Sequence, residues 1–220
     1  MTVTFPPSHS PSSETGLSQT RCLEAYAERM ADLFSNLPLS NKVRQDESHV
    51  TSDRRIAVAE TIDQAAVWLA DASITETSRK ELARAFLADA RIVAGNVPDS
   101  SLGTVSMLTE TAQQVRTGKK QNIRALSHVL RALLLLGVAV DRSPAIPPLT
   151  SGSVALYAAT TASFERRAVV TGHTIRATDA DWAFGHGPAL EGTALEIVGF
   201  LLGVSDKPPV LAPPRPNPAP

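Results

Sequence analysis

Apolar residues recur every three or four positions along most of the chain, the spacing of a helix that buries one face. Residues 17–37 carry Cys22, Leu23, Tyr26, Met30, Leu33, Phe34 and Leu37 on one stripe, and Pro38 stops it. Residues 40–49 are polar and charged, a loop or link. The helical spacing returns over 54–72 with Ile56, Ala59, Ile62, Ala66 and Leu69, where Ser52 or Asp53 can cap the start. A helix over 77–94 follows, turning Leu82, Phe86, Leu87, Ile92 and Val93 inward, and Gly95-Asn96 reads as its left-handed cap. Residues 102–115 form the next, with Leu102, Val105, Leu108, Ala112 and Val115 on a shared face. Residues 122–136 are the most apolar and belong at the centre of a bundle. After a loop over 141–148, a short helix is expected over 150–164.

The pattern then changes. Residues 168–171 and 173–178 look like two short extended segments and predict a hairpin. Residues 179–187 are a polar, glycine-rich crossing, and 192–203 have the spacing of a buried helix. The expected fold class is mainly α: a four- to five-helix bundle over 17–148 and a small α+β appendage over 149–206. The ends differ from both. Residues 1–16 are mostly Ser, Pro and Thr, a disordered lead, and 207–220 read KPPVLAPPRPNPAP, too rich in proline for helix or strand.

Composition narrows the classes. Hydrophobic residues make up 43% of the chain but aromatic ones only 5%, so the core must be built from Ala, Leu, Val and Ile. A net charge of −1 without clustered cations argues against nucleic acid as a partner. Gly118-Lys119-Lys120 reads as a solvated turn between helices. One cysteine, Cys22, allows no internal disulfide and sits on an apolar stripe, so a reducing cytoplasm is the expected location. The apolar run 132–140 falls well short of the roughly 20 residues that span a bilayer, so no membrane role is expected.

Candidate chemistry gathers in two places. His128 lies mid-helix, where bundles build metal sites, but Arg124 is one turn before it and Arg131 three residues after. Two cations there suit an anion or a carboxylate partner. His173, Asp179, Asp181, His186 and Glu191 crowd into nineteen residues, yet an extended 173–178 holds His173 roughly 17–20 Å from Asp179 at ~3.3 Å per residue. The plainer reading has the aspartates capping turns, Trp182 packing on a helix, and Gly185-His186-Gly187 making a tight reversal. No nucleophile elbow, zinc-helix motif or phosphate loop is present.

The run Ala177-Thr178-Asp179-Ala180-Asp181-Trp182, then Gly185-His186-Gly187-Pro188, then an apolar helix from Gly192 to Gly203, resembles the C-terminal part of the mycothiol-dependent maleylpyruvate isomerase family. A weaker likeness extends upstream, where His128 stands nine residues before Gly137 and Ile146-Pro147-Pro148 matches a Pro-rich loop. The resemblance implies a DinB-like metal-binding bundle joined to a small α+β domain. It also implies a divalent metal, such as zinc, that activates mycothiol or another small thiol, with His128 at a metal-ligand position. Asp179, Asp181, Trp182 and His186 would then shape the pocket mouth. The chain departs from the family where Arg124 and Arg131 replace carboxylates, and where 17–100 lacks the N-terminal signature.

The expected function is therefore a divergent relative whose metal site is altered or lost and which binds a small molecule, a thiol or a partner. An active metal- and thiol-dependent isomerase or transferase is one alternative. A helical scaffold without catalytic activity is the other. Leu126, Val129, Leu130, Leu133, Leu134 and Leu136 cannot all face one narrow core, and if part of that surface is bare a homo-oligomer is expected.

Overall fold

The computed structural model describes residues 52–92 and 103–213, all within one compact unit that begins at Thr51. The expected lead over 1–16, the helix over 17–37 with Cys22, the link over 40–49 and the cap at Gly95-Asn96 lie outside the described residues. Among the described residues four helices make the bundle: α1 (Arg55–Leu69), α2 (Glu76–Ala90), α3 (Thr104–Thr117) and α4 (Ile123–Val140). Then come α5 (Pro148–Thr161), α6 (Phe164–Val170), β1 (Thr174–Ala177), β2 (Ala183–Gly185), β3 (Ala189–Gly192), α7 (Ala194–Leu201) and β4 (Val210–Leu211). The molecule is a helical bundle with a small α+β appendage, as the hydrophobic spacing predicts.

Local chemistry sets the helix ends. Thr75 caps α2 by accepting from the Ser78 N–H at 3.3 Å, and Asn122 caps α4 by accepting from the Ala125 N–H at 2.9 Å. At α1 the Asp53 carboxylate accepts from the N–H groups of Arg55 (3.1 Å) and Gln121 (3.2 Å), tying the helix start to the α3–α4 turn. That turn contains Gly118-Lys119-Lys120, all exposed. α2 stops at Ala90 because Arg91 adopts left-handed geometry (φ 55°).

α4 is the axis of the fold. α1 packs on α3 and α4, α2 packs on α4, and α5 bridges α4 to α7. Helices therefore surround α4 on several sides, and Leu126, Val129, Leu130, Leu133, Leu134 and Leu136 are all buried. These six residues leave no bare apolar face and so give no ground for self-association.

The sheet runs in the order β2-β1-β3-β4, with β1 antiparallel to β2, parallel to β3, and β3 antiparallel to β4. Two expectations are corrected here. Residues 168–171 are not extended: most of them complete α6, and the hairpin is β1–β2, pairing Ile175 with Phe184. The first part of the proline tail does form a strand, since Val210 and Leu211 pair with Glu191 and Leu190 at a sheet edge, where flanking prolines cost no ladder bonds.

Candidate functional site

One line of positions on the most apolar helix is polar. Arg124, Ser127, His128 and Arg131 fall at i, i+3, i+4 and i+7 and so share one face of α4. All four line a cavity of about 590 Å³. Its other walls come from Arg91 just past α2, Tyr157 and Thr161 on α5, Arg166 on α6, and Leu201–Gly203 at the end of α7. The site lies where the helical bundle meets the appendage.

The four guanidinium groups are not equivalent. Arg166 is a strut: Nη1 donates to the carbonyls of Phe200 (2.5 Å) and Ser205 (2.6 Å), and Nη2 to Asp206 (2.6 Å). Its guanidinium also lies 5.0 Å above the Phe200 ring. Arg131 donates from Nη1 to Asp89 at 3.1 Å and from Nε to the Leu202 carbonyl at 3.2 Å, so it spans from α2 to the end of α7. The guanidinium groups of Arg91 and Arg124 make no hydrogen bond or ion pair among the described residues, and both residues are exposed. Two carboxylates thus offset two of the four cations, and two remain open toward the cavity.

Between them sit two polar atoms without partners. His128 Nε2 and Ser127 Oγ are buried and make no hydrogen bond among the described residues, an arrangement that costs stability unless something else satisfies them. Burial, followed by the positive charges of Arg91, Arg124 and Arg131, pushes the His128 pKa below its ordinary value. The imidazole is therefore neutral at neutral pH, a hydrogen-bonding group flanked by cations.

These residues do not fit a divalent metal. Zinc needs about three protein ligands drawn from His, Cys and carboxylate. The cavity offers one imidazole and four guanidinium groups, and no carboxylate lines it. Among the described residues no group of three His, Cys, Asp or Glu side chains comes together anywhere. The open cations repel a bound cation, and no chemistry is routed through one here.

Asp179, Asp181, Trp182 and His186 stand elsewhere. Asp179 Oδ1 accepts from the Ala194 N–H at 2.6 Å, helping to close the start of α7 beside the Thr193–Glu196 capping box. Asp181 is exposed in the β1–β2 turn. Trp182 donates from Nε1 to Ser151 Oγ at 3.1 Å and stacks on Phe184 with centroids 5.9 Å apart. Its indole covers Gly152 on α5 so closely that a Cβ there would meet Cγ at 3.0 Å. His186 is exposed between Gly185 and Gly187, both at positive φ (95° and 99°). None of the four lines the cavity beside His128. Asp179 caps a helix, Trp182 packs on α5, and His186 lies in a glycine-flanked turn.

No family model, curated protein or solved structure matches the chain. The cavity is read from its own chemistry. Arg124, His128 and Arg131 announce themselves by helical spacing. Ser127 shares that face without a charge to mark it. Arg91, Tyr157 and Arg166 come from three other elements, and no local pattern joins them to α4.

Proposed function

We propose that this chain is a small-molecule binding protein whose ligand is an anion, held on the polar face of α4. The observation that carries this reading is the pair of open cations, Arg91 and Arg124, beside the unpartnered His128 Nε2 in one cavity. A carboxylate or similar anion complements both defects: it neutralises the guanidinium groups through charge-assisted bonds and accepts from the imidazole N–H.

On this reading the chain is a divergent relative of the mycothiol-dependent maleylpyruvate isomerase family in which the bundle site has turned from cation to anion. Binding, not turnover, is the proposed role. A neutral imidazole with no carboxylate to orient it lacks the base–orienter arrangement that activates a nucleophile.

The test is acetate titrated into the protein while the His128 ring signals are followed by NMR. Saturable shifts are expected, with affinity weakened about tenfold or more in Arg91→Gln and in Arg124→Gln, as loss of a charge-assisted bond requires. Shifts of equal affinity in both variants, or none in the wild type, would overturn the reading.

A further inference from the structure

The cavity on the polar face is not isolated. A second cavity of about 430 Å³ shares Arg91, Arg124 and His128 with it. The two spaces therefore meet at one charged waist. Their outer walls differ in kind. On the first side stand Arg131, Tyr157, Thr161 and Arg166. On the second stand Val58, Ala90, Ile92, Val115, Ala125 and Val129, with Gln121 and Asn122 at its polar end. The second space lies where α4 faces the ends of α2 and α3, and the small side chains Ala90 and Ala125 leave it open.

An anion small enough to satisfy the waist alone would leave this apolar space to water. Water beside six aliphatic side chains wets apolar surface, and removing that surface from water is favourable. A ligand that carries an apolar chain beyond its charged end removes that surface from water while its head meets Arg91, Arg124 and His128. We infer that the ligand is an amphiphilic anion: a charged head at the Arg91–Arg124–His128 waist and an aliphatic chain in the cavity lined by Val58, Val115, Ala125 and Val129. This inference rests on the anion reading above and adds the nature of the rest of the ligand.

Straight-chain carboxylates from acetate to octanoate separate the two claims, with binding measured by calorimetry and by His128 NMR. Each buried methylene contributes about 0.8 kcal/mol, so affinity should rise about fourfold per carbon until the cavity is full, and octanoate should bind at least ~100-fold more tightly than acetate. Ala125→Trp places an indole in the apolar space. It should abolish the gain in affinity with chain length. The chain-length series on the wild type stands as evidence whether or not that variant folds. Saturable acetate binding without any rise along the series would overturn the amphiphile and leave the anion site standing. A rise that persists unchanged in a folded Ala125→Trp protein would overturn it, because the chain would then bind elsewhere, and so would octanol binding as tightly as octanoate, because the charged head would then contribute nothing. Failure of every carboxylate to bind would remove both readings.

Discussion

His128 is a neutral base held among cations, and that charge state makes stability depend on pH. In the unfolded chain the imidazole titrates at about 6.5; in the folded protein burial and three nearby guanidinium groups hold it lower. Between those two values the unfolded chain binds more protons, so acid favours unfolding. The contribution is fully retained above about pH 6.5 and lost as pH falls from there through the folded value. His128→Leu removes the titrating group and also the unpartnered Nε2. We expect that variant to be at least as stable as wild type at pH 8 and clearly more stable at pH 5, measured by urea midpoints at the two values. Equal losses on acidification in both proteins would show that His128 is not the group responsible. Arg124→Gln acts on the same residue from outside: with one cation gone, the imidazole pKa should move up toward its ordinary value.

Individual elements show which parts of the structure a sequence can reveal. The helical periods survive folding because each apolar stripe finds a neighbour: Ile62 and Leu69 on α1, Leu108 on α3 and Leu130 on α4 are all fully buried. The short segments were less legible. Val169 and Val170 are β-branched, which favours a strand, yet with Ala168 they complete α6, whose Arg166 reaches three acceptors more than thirty residues away. No local propensity encodes a contact at that distance. The same limit divides the site: residues three and four apart on α4 betray one another, while Arg91, Tyr157 and Arg166 become neighbours only through tertiary packing. The glycine-rich crossing was legible in kind, since the Asp179 cap and the reversal at Gly185–Gly187 are backbone chemistry. Gly152 is the exception, because only the folded chain shows Trp182 lying on it. Gly152→Leu should cost about 1–3 kcal/mol by overpacking, read as a lowered denaturation midpoint with reduced Trp182 burial in fluorescence. Thr193→Ala should cost about 1 kcal/mol through the lost cap of α7.

Across the whole molecule, the most apolar helix serves two ends. By length and composition α4 passes for a membrane span, with 18 residues and a mean hydropathy of 1.8, but half of that stretch is buried inside the fold and it is the axis on which the other helices pack. Its one polar face is left over from that packing and looks toward the appendage. Arg166 joins the appendage's own helices across the cavity wall. The Asp206 end of that contact is fully open to solvent and adds little, so its value lies in the two carbonyls it satisfies. Arg166→Ala should lower stability by about 2 kcal/mol, seen as a reduced thermal midpoint. The measurement that meets the central claim most directly is the NMR pH titration of the His128 imidazole with and without saturating acetate. A bound anion places negative charge beside the ring, so its pKa should rise on binding, and by linkage acetate should bind more tightly as pH falls through the interval between the free and bound values. An imidazole that titrates at the same pH with and without acetate would contradict an anion site at this cavity.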